Sequence, residues 1–210
     1  MGSRRSDDGD YFEGQRSRDC VIHSLNNAFG RHVIDKSEVL RYIDEKVASE
    51  MAHLERDDPN AIASDVARLE KRMRARYSTG KTFFTADIVW ECARTKGVYR
   101  VHAPIPGFVT PFLRIDTMLS PEVVVHPIVM LGGDANGDTH AVAVRGGSIY
   151  DSERIDEGPR PMTRSEVETS LPKVFGAYAF LQDPRDATRI RRSAGVVRSF
   201  DDDDSHRDHR

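Results

Sequence analysis

Cysteine is scarce in this chain. Two thiols, Cys20 and Cys92, in 210 residues cannot make a disulfide framework, and no short-spaced ligand pairs accompany them to make a zinc framework. Such usage fits a reducing compartment, the cytoplasm or nucleus, where a lone thiol is either core filler or a reactive group. Long apolar runs are missing too. Nothing approaches the roughly 18 apolar residues of a membrane span, and residues 1–10 (MGSRRSDDGD) carry no apolar stretch of a secretory signal. Charge of one sign is not in excess: 31 Lys and Arg against 34 Asp and Glu leave −3. That balance excludes a generally basic nucleic-acid coat, and no basic–aromatic interleaving marks a single-strand groove. Internal repeats are absent.

What remains is one domain's worth of chain with charged ends. Hydrophobic residues are 38% of the total, low enough that part of the length is expected in arms or tails. Residues 1–10 read as a disordered tail. Residues 184–210 read as a charged tail, basic through Arg198 and then acidic at Asp201 to Asp204. The folded unit is expected over 11–183.

The apolar spacing within that unit changes partway along. Ile22, Leu25, Asn26 and Phe29 share one face of a helix that starts near Asp19 or Cys20 and stops at Gly30. Asp35 and Glu38 have capping-box spacing ahead of a stripe of Leu40, Ile43, Val47, Met51 and Leu54. Pro59 breaks that helix. A third stripe, Ile62, Val66, Leu69 and Met73, makes a hairpin with it. Thr85 stands where it would cap a short helix ending at Gly97. Strand patterns follow: Tyr99, Val101 and Ala103 alternate with polar residues, and 123–131 is rich in β-branched residues. His140 to Arg145 and Ser148 to Ser152 flank a Gly146-Gly147 turn, Thr163 with Glu166 opens another short helix, and a last strand runs from Ala177 to Gln182. Helices first and antiparallel strands after predict an α+β fold.

Cys20 falls at a helix N-terminus, where unpaired backbone N–H groups favour a thiolate, although Asp19 adds opposing charge beside it. A cysteine nucleophile needs a base. His140 opens a strand, and Asp151 lies on the next strand of the same hairpin, where its carboxylate would orient the imidazole. Gln15, five residues before Cys20, is a neutral amide placed to join the Cys20 N–H in an oxyanion hole. Each residue taken alone has an ordinary structural explanation. The chain order Gln, Cys, distant His, then Asp is the order of papain-like cysteine hydrolases.

The segment Tyr11-Phe-Glu-Gly-Gln15-Arg-Ser-Arg-Asp-Cys20-Val-Ile-His23-Ser-Leu25-Asn26-Asn27 resembles the opening of the Josephin family of ubiquitin-specific cysteine proteases, which pairs a Tyr-x-Glu-x-Gln stretch with Cys-x-x-His-x-Leu-Asn-Asn. The segments from Phe84 to Gly97 and from His140 to Ser152 resemble later parts of the same family, so the likeness spans about 11–182. The resemblance implies a papain-like fold of Josephin type, with a helical subdomain, a projecting helical hairpin over 36–77 that helps hold ubiquitin, and an antiparallel sheet. It implies Cys20 as nucleophile, His140 as base, Asp151 as third member and Gln15 as oxyanion donor. Two positions depart from the pattern: Ala141 stands where an aromatic usually follows the histidine, and Asp151 where several members have Asn.

The expected activity is therefore a deubiquitinase, hydrolysing isopeptide or peptide bonds at the C-terminal glycine of ubiquitin without a cofactor or metal. The expected partners are ubiquitin or polyubiquitin, with neither nucleic acid nor membrane, and a monomeric enzyme. The alternatives are a protease of the same machinery acting on another ubiquitin-like modifier or a viral polyprotein, and a ubiquitin-binding module with little catalysis. His23, three residues from Cys20, points poorly at the thiol and is read as structural. A metal site of Cys20, His23, His140 and Asp151 lacks a short-spaced ligand pair. Gly80-Lys81-Thr82 is not a phosphate loop, because Ala75 stands where its first glycine belongs. Cys92, beside Ile88 and Val89, is read as core.

Overall fold

A computed structural model of the chain describes residues 4–5, 11–15, 19–57, 63–77, 84–101, 127–133 and 138–182. The expected tail over 184–210, the Gly80-Lys81-Thr82 sequence, Pro59, Ile62, Ala103 and positions 123–126 lie outside those residues.

Helix α1 is Cys20–Phe29, with the boundaries the sequence predicts. Gly30 ends it with φ 64°, a backbone conformation that calls for glycine, and a Cβ there would push aside the flexible end of Arg145, whose Nη1 would lie 1.8 Å away. Ile22, Leu25 and Asn26 of the expected face are buried, and burial extends almost all round α1, including Ser24 and Asn27. Its two asparagines make this tolerable by serving as partners for neighbouring backbone. Asn27 accepts from Glu13 N at 2.7 Å and donates to Glu13 O at 3.0 Å. Asn26 accepts from Val33 N at 2.9 Å and Ile34 N at 3.2 Å and donates to Ile34 O at 3.0 Å. The chain before the helix and the chain after it are thus both tied to it without a sheet.

Helix α2 is Lys36–Asp57 and opens on the expected capping box: Glu38 N donates to Asp35 Oδ1 at 2.9 Å and Asp35 N to Glu38 Oε2 at 3.0 Å. Helix α3 is Ala63–Tyr77 and packs on α2, where Tyr77 Oη donates to Glu50 at 3.0 Å. The inward stripe of α2 is Val39, Ile43, Val47 and Met51; Leu40 is 47% exposed, against expectation. A strict four-residue step from Ile43 reaches Val39, 40° round the helix, whereas Leu40 lies 60° to the other side. The 36–77 hairpin also reaches into the main core, because α2 packs on helix α4 (Ala86–Arg94), with Lys46 pairing to Glu91. Thr85 stands at the N-cap of α4, but its side chain makes no capping bond.

The strands are β1 (Arg4–Arg5), β2 (Tyr11–Phe12), β3 (Tyr99–Val101), β4 (Ile128–Gly133), β5 (Thr139–Arg145), β6 (Ser148–Tyr150), β7 (Arg160–Pro161) and β8 (Lys173–Leu181). Within the segment read as a disordered tail, Arg4–Arg5 pairs with Tyr11–Phe12, a ladder made by backbone and so invisible in side-chain pattern. The other six strands form one antiparallel sheet ordered β3-β8-β4-β5-β6-β7. Gly146 and Gly147 both have positive φ, 56° and 79°, as the tight turn joining β5 to β6 requires. Helix α5 (Arg164–Ser170) is capped by Thr163, whose hydroxyl accepts from Glu166 N at 3.1 Å.

The architecture is α+β. One face of the sheet, with Val129, Ala141, Ala143 and Tyr150, shares a core with α1, α2 and α4; the other, with Met130, Val142, Val144 and Ile149, shares one with Val167 of α5. Burial on both faces explains why β5 reads as an unbroken apolar run rather than an alternation. No helix among the described residues is long and apolar enough to cross a membrane. Replacing Asn26 with Ala strips partners from buried amides of Val33 and Ile34 and should lower unfolding free energy by about 2–4 kcal/mol. Leu40→Ser should change it by less than about 0.5 kcal/mol. Urea denaturation of the two variants checks the contrast.

Candidate active site

Three segments meet at one end of the α1–β5 contact. Ser24 Oγ donates to the Ala141 carbonyl at 2.7 Å, which fixes the helix against the strand. Cys20 lies one helical turn before Ser24, and His140 lies one residue before Ala141, so this bond sets both at the same end. Ala141 is fully buried, and its small side chain lets the helix approach. The Cys20 thiol is one of the groups that interact with the His140 ring.

Asp151 follows the last residue of β6 rather than lying within the strand. Its Oδ1 is 2.8 Å from His140 Nε2 and also accepts from Glu153 N at 3.1 Å, a local turn that holds the carboxylate in place. Both side chains are buried. Burial alone would push His140 down, but the hydrogen bond to Asp151, the Cys20 thiol and the charges of Asp151 and Glu153 outweigh it and lift the imidazole to about 10. Burial would raise Asp151, and the hydrogen bond and charge of His140, with bonds from Glu153 N and Ser170, hold it below the ordinary carboxylate value instead. His140 and Asp151 are therefore an imidazolium–carboxylate pair at neutral pH. The other ring nitrogen, Nδ1, is buried without a hydrogen-bond partner. With Nε2 taken by Asp151, Nδ1 is the atom left for chemistry.

Two arginines that sequence reasoning missed balance this carboxylate. Arg154 Nε is 3.5 Å and Arg160 Nη2 3.8 Å from Asp151 Oδ2. Arg160 is itself nearly buried, pairs with Glu157 and with Glu166 at 3.0 Å, and donates to Ser170 Oγ at 2.8 Å. The three-residue step from Asp151 to Arg154 was a signal on offer; Arg160 arrives through the β6–β7 pairing and had none.

Gln15 is brought to the same place. Its backbone N–H donates to Ser152 O at 2.8 Å, and its carboxamide accepts from Ser152 Oγ at 3.3 Å. Its Nε2 does not stand free for a substrate oxygen: it donates to Glu153 Oε1 at 2.8 Å. Asp19 is also different from the expectation, because Lys36 lies 3.3 Å from its carboxylate and offsets the charge beside Cys20.

The remaining candidates fall elsewhere. His23 Nδ1 lies 3.4 Å from Glu13 Oε2, which Asn26 also engages at 2.7 Å, so His23 belongs to the network that anchors α1. His32, Asp35 and Glu38 bring potential ligand atoms within 4.8 Å of one another, but the carboxylates serve the α2 capping box and Lys96. Cys92 is buried with its Sγ 3.7 Å from Glu38 O, and burial first, then the Glu38 charge, lifts its thiol to about 11. No family model matches the chain, and no curated protein matches it.

Two outcomes are expected. His140 is raised above its ordinary 6.5, so its stabilisation is complete below that pH and is lost as pH rises through about 10. Asp151 is lowered, so its share is present above its ordinary 3.8 and is lost as pH falls through the folded value. Asp151→Asn weakens the pair, so wild type should lose more stability than this variant between pH 7 and pH 10.5 in chemical denaturation. The Cys92 thiol stays protonated at pH 8 and buried, so mass mapping after iodoacetamide treatment of the native protein should find Cys92 unmodified and find it modified after unfolding.

Proposed function

We propose that the chain is a papain-type cysteine hydrolase of the Josephin kind, cleaving at the C-terminal glycine of ubiquitin. The observation that carries this reading is the buried His140–Asp151 pair at 2.8 Å, with the Cys20 thiol acting on the same ring from a helix N-terminus. The arrival of Gln15 beside it, from the segment that bears the family-like motif, supports the assignment.

The chemistry follows from the charge state. In the reacting state the Cys20 proton rests on the His140 ring, which Asp151 holds, so sulfur attacks as a thiolate beside the imidazolium. Cys20 Sγ attacks the glycine carbonyl carbon, and the oxygen takes the negative charge, facing the Gln15 amide and the Cys20 N–H. The C–N bond breaks as the His140 proton passes to the leaving amine. Water then adds to the thioester carbon and gives one proton to His140; the C–S bond breaks, restoring thiolate and imidazolium and releasing the glycine carboxylic acid, which loses its remaining proton to solvent. No step calls on a metal or organic cofactor.

A ubiquitin probe with a C-terminal electrophile should label wild type at Cys20 and leave Cys20→Ala unlabelled. His140→Ala should lower kcat/KM on a ubiquitin-amide substrate by about 10²–10⁴-fold. Because the reactive ion pair needs protonated His140, the alkaline limb of the pH–rate profile should fall near 10 and not near neutrality. Labelling only by the probe of another modifier moves the substrate to that modifier, and tight ubiquitin binding without labelling makes the chain a binding module.

A further inference from the structure

Glu153 has no part in the mechanism above, yet it touches two of its members. One carboxylate oxygen, Oε1, is 2.8 Å from Gln15 Nε2 and 3.6 Å from His140 Nδ1. The first atom is the side-chain donor meant for an oxyanion. The second is the ring nitrogen left without a hydrogen-bond partner. An anionic oxygen here occupies Gln15 Nε2, one of the two donors the mechanism assigns to the developing negative oxygen, and sits beside the reacting ring. The side chain is 46% exposed, so it is tied to the protein on one side and has solvent to move into on the other. Its backbone is held independently, by the Glu153 N–H to Asp151 Oδ1 bond. The side chain is therefore able to leave without breaking the His140–Asp151 hydrogen bond, although its charge is one of those that raise the imidazole.

We propose that Glu153 is an internal mimic of the product carboxylate: it occupies the oxyanion site of the free enzyme, is displaced as the substrate carbonyl enters, and returns to expel the product. The inference rests on the hydrolase reading and extends it to the ends of the cycle. Hydrolysis of the thioester leaves a carboxylate at the Gln15 donor that Glu153 also holds. Two carboxylates cannot share one amide donor and one imidazolium at this separation without repulsion, so the return of Glu153 disfavours retained product. A substrate amide or ester is neutral and meets only the competition for the hydrogen bond. Glu153 thus discriminates between substrate and product by charge.

The experiment compares wild type with Glu153→Ala and Glu153→Gln in the full chain. The readouts are kcat/KM on a ubiquitin-amide substrate, inhibition by free ubiquitin, and inhibition by ubiquitin ending in a C-terminal carboxamide. Removing a charge-assisted hydrogen bond at a half-exposed carboxylate should raise kcat/KM about tenfold and tighten inhibition by carboxylate-ended ubiquitin by a similar factor. Inhibition by the carboxamide form should tighten less. Glu153→Gln keeps the bond to Gln15 without the charge, so it should tighten carboxylate binding while raising kcat/KM less than Glu153→Ala does. Unchanged or lower kcat/KM, together with unchanged inhibition by the carboxylate form, overturns the role of Glu153 while the labelling of Cys20 leaves the hydrolase reading standing. If neither wild type nor either variant is labelled at Cys20 by electrophilic probes, the hydrolase reading itself fails and the role assigned to Glu153 falls with it.

Discussion

The hydrogen bond from Ser24 Oγ to the carbonyl of Ala141 joins a helix to a strand at a point where both are fully buried. A buried hydroxyl and a buried carbonyl each need a partner, and here each supplies the other's. The bond also fixes how the helix lies along the strand, since a shift by one residue in either would leave both groups unsatisfied. Alanines at 141 and 143 keep the contact close. Cys20 and His140 are each a short step from this bond along rigid elements, so their approach does not depend on a loop. Asn26 and Asn27 complete the constraint. They fasten the chain on both sides of the helix, and the chain on the Glu13 side carries Gln15 toward the site.

The site then has an electrostatic problem to solve. An asparagine opposite the imidazole would orient it without charge; an aspartate adds a buried anion. Breaking such a pair leaves an uncompensated buried charge, which costs about 3–5 kcal/mol. Here the anion faces an imidazolium on Oδ1 and two guanidinium groups near Oδ2. Glu157 and Glu166 in turn offset Arg160. The alternation of sign outward from His140 is what permits a protonated ring and an ionised carboxylate to persist out of water. It also ties the site to β7 and α5, which meet Asp151 through Arg160 and Ser170.

Local features were legible in the sequence where one residue type has one local use. The Gly30 stop, the Asp35–Glu38 capping box, the Gly146-Gly147 turn and the Thr163 cap all stand where spacing placed them. The α+β class followed from the order of elements. Three things were hidden. The burial of α1 on all sides depends on two asparagines whose partners lie 7 to 14 residues away, which no periodicity reports. Leu40 and Val39 are both apolar neighbours, and only packing against α4 decides which faces inward. The arginines around Asp151 and the Glu153 carboxylate on Gln15 arise from strand pairing and from a turn, so sequence spacing pointed to Cys20, His140 and Asp151 but not to the charges around them. The chain does bring Gln15 beside Ser152 and Glu153, and the bond that occupies its amide was beyond the reach of pattern.

The two cysteines show how position decides chemistry. Cys92 lies mid-helix, packed with Ile88 and Val89, and its sulfur points at a backbone carbonyl and the carboxylate charge of Glu38. Burial and the Glu38 charge there disfavour a thiolate and outweigh Lys96 and Arg41. Cys20 is just as buried, 3% exposed in each case, so burial does not distinguish them. What differs is the sign of the surroundings. Cys20 begins its helix where Cys92 sits inside one, it shares a ring with a proton that Asp151 retains, and Lys36 offsets the one adjacent carboxylate. Burial is therefore equal at the two thiols, and on the hydrolase reading proposed above what separates them is the charge around each, that of Glu153 included, 3.6 Å from the ring that Cys20 meets.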